Sequence, residues 1–207
     1  MNEDQRSNIK AAVETLSETL FTAWSFFHVL SGLHEGAKAH PAAVRRFGWY
    51  FEQTWRATFD GLFSKLGTFM DTTKSTQSLP NLANMIRRYG DASLSGLLPE
   101  VETALSSKAG PLAKLRAWRH EVVAHRTPSV KNDAFYQSNR LKLPEIEEAL
   151  LQLEGLLNHL SWNLLGLHND TRTGSAALAD EAAALLELIA SAMPDERPHE
   201  PGATTAT

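Results

Sequence analysis

Apolar residues recur at steps of three and four along most of the chain, the spacing that places them on one face of an α-helix. The first run predicts a helix over residues 3–33, and Gly32, Gly36 and Pro41 are expected to interrupt the pattern. A second helix is predicted over residues 41–71, because proline is tolerated in a first turn. Its apolar face consists of Val44, Phe47, Phe51, Trp55, Phe59, Leu62, Leu66 and Phe69.

Five more helices are predicted in the rest of the chain. They are expected over residues 80–89, 97–106, 111–126, 146–167 and 175–192. The third must stop near Arg126, because Pro128 disfavours helical geometry in the residue before it. The fourth has the clearest period, an apolar stripe that either lies inside a bundle or pairs with a copy of itself. This stripe consists of Ile146, Leu150, Leu153, Leu157, Leu160, Leu164 and Leu167.

These helices predict the fold class. No stretch alternates apolar and polar residues at period two, so the sequence predicts no strand. We expect an all-α fold, an up-and-down bundle of about five to seven helices, formed as one domain by residues 1–192. The segment PDERPHEPGATTAT lacks large apolar side chains, and residues 193–207 are expected to form a disordered tail.

Composition excludes several classes of chemistry. Hydrophobic residues make up 43% of the chain and charged residues 21%, as in ordinary globular proteins. The absence of cysteine rules out disulfides, thiolate catalysis, iron–sulfur clusters and cysteine-ligated zinc. No apolar run reaches the roughly 18 residues of a membrane span, and the polar start does not resemble a signal peptide. We therefore expect a cytoplasmic protein that needs no cofactor and no membrane.

Positive charge is concentrated in one segment. Residues 108–142 contain eight Lys or Arg and two acidic residues, a net charge of +6, whereas the whole chain carries −4 and the remainder therefore −10. A basic segment in an acidic protein indicates an anionic partner. The alternative is that the segment is simply a solvated helix face, and composition alone does not choose between the two.

The sequence RHEVVAHR, residues 119–126, is the candidate for chemistry within this segment. On a regular helix Arg119 and His125 lie about 9 Å apart along the axis and about 120° apart around it. Histidine titrates near neutral pH and can exchange a proton with a ribose hydroxyl or a leaving oxygen. Arginine donates paired hydrogen bonds to phosphate oxygens. Glu121, four residues before His125, faces it and can orient it.

Two further arginines lie on the same predicted helix, and the motif also has a purely structural explanation. Arg116 and Arg126 would extend phosphate contacts along the same helix. Arginine and histidine in a last helical turn also stabilise the helix dipole and cap free carbonyls. The spacing of the two residues alone therefore does not establish a site.

The sequence LRAWRHEVVAHR resembles the signature of the HEPN superfamily, in which an arginine and a polar residue precede a histidine by a few positions. Here five residues separate Arg119 from His125, and His120 occupies the polar place. VVAHR at residues 122–126 resembles the ending found in the abortive-infection AbiU-type branch. Residues 55–86 are also similar to that branch, so the resemblance covers about residues 40–170.

The resemblance implies a helical bundle, often dimeric, in which the motifs of two protomers meet in a cleft. Many members are metal-independent endoribonucleases, used as toxins or antiviral effectors, that leave a 2′,3′-cyclic phosphate; others only bind. It makes Arg119 and His125 the catalytic candidates, with His120 and Glu121 in support. RNA is the expected partner, beside a second copy and an antitoxin or defence-system protein. Thr127 replaces the tyrosine that a nucleotidyltransferase modifies in HepT-like toxins, which puts that form of control in doubt.

Two rival interpretations remain at this stage. HEVVAH is similar to the zinc motif HExxH, but His120 and His125 are five residues apart and lie about 140° apart around a helix. A variant zinc site would need a further carboxylate, for which Glu145, Glu147 or Glu148 are available. The stronger rival is a non-catalytic HEPN-like module that binds RNA or protein. The tryptophans, set among apolar neighbours, are expected to pack in the core rather than to stack on bases.

Overall fold

A long helix, α1 (Glu3–Ala39), is the element around which the others pack. The computed structural model describes residues 2–90, 95–118 and 141–193. Asn2 and Gln5 form a capping box at the start of α1, since each side chain accepts a hydrogen bond of 2.9 Å from the other residue's backbone N–H. Glu3 and Asp4 place negative charge in the first turn, where the helix dipole favours it.

Seven further helices follow in the described part of the chain. They are α2 (Pro41–Arg46), α3 (Gly48–Phe69), α4 (Leu79–Tyr89), α5 (Leu98–Ser106), α6 (Pro111–Trp118), α7 (Leu143–Leu165) and α8 (Ala177–Ser191), with a 3-10 turn at Thr173–Ser175 before α8. The described residues contain no strand, so the all-α prediction is confirmed. None of the described helices is both long enough and apolar enough to span a bilayer.

The two glycines that were expected to end the first helix lie inside it. A Cβ on Gly32 would come within 2.1 Å of the carbonyl oxygen of Ala179 in α8, and one on Gly36 within 2.6 Å of Leu186 Cδ1. The missing side chains therefore let α8 approach the backbone of α1 closely. The helix ends only at His40, before Pro41. The prediction of a break at Gly32 was wrong because packing between helices outweighs the intrinsic cost of helical glycine.

The single helix predicted over residues 41–71 is divided at Phe47. Its backbone (φ −111°, ψ 30°) is not helical, although its N–H still donates to Ala43 O and its carbonyl accepts from Phe51 N–H. Phe51 is buried, as expected, whereas Phe47 is 43% exposed rather than part of the apolar face. The change of backbone at Phe47 turns that side chain away from the stripe, and it also explains why there are more helices than predicted.

The leucine stripe of α7 lies within the core of the chain, except for Leu167, which follows the end of the helix and is 40% exposed. Leu150, Leu153, Leu157 and Leu160 are fully buried, in the same cluster as Trp24 of α1. This burial settles the choice left open by the sequence, because a stripe covered by the chain's own helices is not free to pair with a copy of itself. The helix ends at Gly166, which adopts a left-handed conformation (φ 69°) of the kind that glycine allows.

Candidate functional site

The predicted motif follows directly after α6. Arg119, His120, Glu121, His125 and Arg126 lie outside the described residues, so their assignments as site residues stay predictions. The described structure instead defines the two ends between which the motif lies in the chain. These are the C-terminal end of α6 at Trp118 and the entry to α7 after Leu141.

The helix α6 is fixed to the core on two sides. Leu112 and Leu115 are buried in the main cluster. The ring of Trp118 lies 5.7 Å from that of Phe59 and 6.0 Å from that of Phe63, both in α3. Edge-to-face and tilted contacts at these distances are favourable for aromatic rings. The residue before Arg119 therefore has a defined place against α3.

An ion pair joins α6 to α7. Lys114 Nζ donates to Glu145 Oε1, and Glu145 Oε2 also accepts from the backbone N–H of Lys142 at 2.9 Å. The hydrogen bond from Lys114, followed by that from Lys142, holds the pKa of Glu145 below its ordinary value. The pair thus fixes α6 against the first turn of α7, on either side of the predicted motif.

Arg116 is the one predicted RNA-binding residue that the structure describes. It is half-buried, and its Nη2 donates to the carbonyl oxygen of Ser107, just beyond the end of α5. This bond uses one of the five N–H donors of the guanidinium group. A contact of Arg116 with phosphate stays a prediction, and its guanidinium group is already held by the hydrogen bond to Ser107.

A groove of about 550 Å³ opens beside the start of α7. It is lined by Phe27, Ser31, His34, Glu35, Lys38, Trp55, Leu141, Lys142, Leu143, Pro144 and Glu147. One wall thus begins at the first described residue after the motif segment. The volume lies within the range of small-molecule and nucleotide sites.

The charges that line the groove are balanced. Lys38 pairs with Glu35 at 2.8 Å, and this hydrogen bond lowers the pKa of Glu35. Glu147 pairs with Arg172 at 2.6 Å. With both carboxylates paired, Lys142 adds a positive charge at the end of the groove nearest the motif in the chain. The groove offers mixed polar and aromatic contacts rather than a strong positive field.

The carboxylates considered for a zinc site are engaged elsewhere. Glu145 is paired with Lys114, Glu147 with Arg172, and Glu148 accepts from Gln152 at 3.3 Å. Over residues 2–90, 95–118 and 141–193, no group of histidine and carboxylate side chains is arranged to hold a metal ion. The histidines of the zinc motif lie outside this part of the chain, so that interpretation gains no support from the residues that are described.

The expectation that the tryptophans belong to the core was wrong for two of them. Trp24 is fully buried, whereas Trp49 is 76% and Trp162 61% exposed. Each of the two lies two positions from a buried residue of its own helix, Phe51 or Leu160, and therefore about 160° away around the axis. Exposed aromatic rings are available for stacking, which the sequence interpretation had set aside.

His28 is a buried titratable group that the sequence did not single out. It is 8% exposed, and its ring stacks on that of Trp24 at 5.5 Å. The guanidinium group of Arg172 lies over the same Trp24 ring, with its Cζ 5.5 Å from the ring centroid. Burial is the main cause that lowers the pKa of His28, so it is neutral at pH 7 and serves packing.

Comparison with known families agrees with the resemblance found in the sequence. The model of the family HEPN_AbiU2, described as AbiU2, matches residues 6–185. The match covers most of the chain and extends beyond residues 40–170, over which the sequence resemblance was found. Neither the curated proteins nor the solved structures gave a match.

Proposed function

The chain belongs to the AbiU2 family of abortive-infection-related HEPN domains, and on that premise we propose that it is a metal-independent endoribonuclease that cleaves RNA through Arg119 and His125. The observation that carries the proposal is the RHEVVAHR sequence within a family match that spans residues 6–185. A defence or toxin role follows from the same family. The expected substrate is single-stranded or loop RNA.

The proposed reaction is an internal transesterification. The ribose 2′-oxygen loses its proton and bonds to phosphorus, and the bond from phosphorus to the 5′-oxygen breaks. The products are a 2′,3′-cyclic phosphate and a 5′-hydroxyl, which takes up a proton. His125 acts as the acid or base for these transfers, and Arg119 stabilises the negative charge that develops on the phosphoryl oxygens.

The remaining motif residues have supporting roles in this proposal. Glu121 orients His125, and His120 holds the polar position after Arg119. Arg116 and Arg126 contact the RNA backbone. The contacts of Trp118 with α3 support the proposal in general, because they fix the residue next to Arg119 and precise catalysis needs well-supported groups.

We propose further that two copies bring their motifs together in one cleft. An antitoxin or another defence-system protein is the expected third partner. Size-exclusion chromatography with light scattering tests the dimer directly, and a monomer at concentrations that support cleavage would rule out a shared cleft.

Cleavage of total RNA in the presence of EDTA tests the catalytic proposal. Removing a general acid–base group costs about 10²–10⁴-fold in rate, and removing a donor that stabilises the developing charge costs about 10²–10³-fold. His125→Ala and Arg119→Ala should therefore each slow cleavage by about a hundredfold or more. The matched control is His168→Ala, since His168 is an exposed histidine outside the motif. Equal cleavage by the wild type and both motif variants would end the proposal.

The alternative function is a non-catalytic HEPN-like module that binds RNA or protein. It predicts that the wild type leaves RNA intact under all conditions tested, whether its ligand is RNA or another protein. The products distinguish the two functions, because a 2′,3′-cyclic end that depends on His125 arises only from the proposed reaction.

A further inference from the structure

Five exposed side chains are gathered where α2 meets α3. We name this surface the aromatic–basic patch, formed by Arg45, Arg46, Phe47, Trp49 and Tyr50. Phe47 is 43%, Trp49 76% and Tyr50 57% exposed, and both arginines are exposed. Large aromatic side chains are rarely left this open on a protein surface without a binding role.

The patch is held by a rigid support. On one side of it Ala43 is fully buried, and on the other Phe51 is buried in a cluster with Leu33 and Leu186. The Tyr50 ring packs edge-to-face on that of Phe51 at 5.4 Å. The exposed rings are therefore fixed by their buried neighbours rather than spread along a loose segment.

The patch carries positive charge that no nearby acid in the sequence offsets. Residues 41–51 contain Arg45 and Arg46 and no Asp or Glu, and the nearest acidic residue before them, Glu35, is paired with Lys38. The next acidic residue, Glu52, pairs with Arg56 at 3.5 Å. In a chain whose net charge is −4, this is a local cationic site.

A smaller cavity next to the patch in the sequence shares a wall residue with the groove beside α7. Trp55 lines that groove and also a smaller apolar cavity of about 260 Å³. The smaller cavity is bounded by Val44 and Gly48, the immediate neighbours of Arg45 and Trp49 in the sequence. The smaller cavity is therefore next to the patch in the sequence, and it shares Trp55 with the groove beside α7.

We propose that the aromatic–basic patch is a docking surface for single-stranded RNA, on which bases stack against Trp49 and Tyr50 while Arg45 and Arg46 contact phosphates. Proteins bind single strands without sequence preference through two interactions: bases stack on aromatic side chains, and cationic side chains contact the phosphates of the nucleic-acid backbone. The inference rests on the proposed function for its ligand, and it adds a surface distant in sequence from the catalytic motif.

Other occupants fit the patch less well. A second copy related by a two-fold axis through the patch would bring Arg45 and Arg46 towards their own equivalents, and like charges repel. An anionic lipid surface is typically recognised by clusters of about four to eight Lys or Arg, whereas the patch has two. A single strand needs stacking faces and a few phosphate contacts, and the patch offers both.

Binding of a labelled oligouridylate, measured by fluorescence anisotropy, tests the proposal. All variants carry His125→Ala so that the RNA stays intact. Trp49→Ala should weaken binding about tenfold, as expected for the loss of one base stack. Arg45→Gln with Arg46→Gln should make the slope of log K against log salt shallower by about 1.4, because each single-strand phosphate contact contributes about 0.7.

Matched controls remove residues of the same type elsewhere. Trp162→Ala removes another exposed tryptophan, which lies on α7, and Lys10→Gln with Arg88→Gln removes two exposed cations. These variants should bind as tightly as the parent. Equal affinity of Trp49→Ala and Trp162→Ala, whether both are unchanged or both reduced, would overturn the proposal.

Tryptophan fluorescence gives a second measurement, which uses Trp→Phe variants and so does not depend on Trp49→Ala folding well. In a Trp162→Phe background, RNA should quench the exposed Trp49, and adding Trp49→Phe should remove that quenching. Unchanged quenching in the double variant would contradict stacking on Trp49. A change of oligomeric state or of binding to anionic vesicles in Trp49→Ala, with RNA affinity unchanged, would assign the patch to a second copy or to a lipid surface.

The proposed function and the patch fail in different ways. If the wild type binds RNA through Trp49 but never cleaves it, the nuclease is refuted and the docking surface stands. If His125-dependent cleavage is present and the patch variants bind normally, the docking surface is refuted and the nuclease stands.

Discussion

Replacing Gly32 by alanine tests how closely α1 and α8 pack. The added Cβ would lie 2.1 Å from Ala179 O and 2.9 Å from Ala182 Cβ, whereas ordinary contacts begin near 3.4 Å. The nearest obstacle is backbone, so no side chain can rotate away. The whole of α8 must therefore retreat by about an ångström, and the contacts along its length with α1 loosen.

The magnitude follows from two opposing terms. Overpacking of this kind costs about 1–3 kcal/mol, and a rigid backbone obstacle places Gly32→Ala at the upper end. Replacing glycine by alanine inside a helix returns about 0.5–1 kcal/mol. The free energy of unfolding should therefore fall by about 2 kcal/mol, which corresponds to a fall in Tm of about 4–8 °C for a chain of this size.

Alanine substitutions at two other helical glycines serve as controls for the stability of Gly32→Ala. Gly155 lies in α7 with nothing within 4 Å of its would-be Cβ, so Gly155→Ala should raise the free energy of unfolding by about 0.5–1 kcal/mol. Gly36 meets the flexible Leu186 Cδ1 at 2.6 Å, so Gly36→Ala should destabilise less than Gly32→Ala. The predicted order of stability is Gly155→Ala, wild type, Gly36→Ala, Gly32→Ala.

Urea denaturation followed by far-ultraviolet circular dichroism measures this order. The slope against urea should stay constant, so that changes in midpoint report changes in stability. If Gly32→Ala is as stable as the wild type, or gains as much as Gly155→Ala, then α8 does not pack on α1 as described.

Two further predictions concern pH. RNA cleavage that depends on His125 should vary between pH 5 and pH 8, and a flat profile would argue against a catalytic histidine. For His28, burial, aided by the charge of Arg172, lowers the pKa below the ordinary 6.5 and outweighs the hydrogen bond to the backbone of Arg172 and the charge of Glu147, which raise it. Its contribution to stability should be complete above pH 6.5 and be lost as the pH falls towards its folded-state pKa. His28→Leu should remove that part of the pH dependence in urea titrations, and parallel wild-type and variant curves would contradict it.

Local regularity determined how much of the fold was predictable. The stripe in α7 was recognised because leucines at alternating steps leave only one helical face to bury, and Leu150 and Leu157 are buried there. The true end of α1 was not predictable, because Gly32 is kept in the helix by Ala179, which is far away in the sequence. The low helix propensity of glycine, taken residue by residue, gives no information about a packing partner such as Ala179.

For the candidate site, the sequence predicted the family but left the roles of single residues open. The residue types and spacing of RHEVVAHR define the HEPN resemblance, and the family match confirms the family. The roles of Arg119 and His125 stay predictions, because both residues lie outside the described part of the chain. The exposure of Trp49 was missed, although its helix position indicates it. Trp49 lies two residues before the buried Phe51, about 160° away around the helix. The prediction relied on the apolar character of its neighbours rather than on the helix face that it occupies.

The proposed division of roles between the patch and the motif has a kinetic consequence. Trp49 and the arginines beside it would hold RNA equally in the ground state and in the transition state, because the reacting phosphate is bound by other residues. Uniform binding of this kind lowers KM and leaves kcat unchanged. Trp49→Ala in an otherwise wild-type chain should therefore raise KM about tenfold with kcat preserved, whereas Arg119→Ala should lower kcat. Steady-state cleavage of an oligonucleotide measures both constants, and a fall in kcat for Trp49→Ala would mean that the patch takes part in the chemical step or supports the fold of the site.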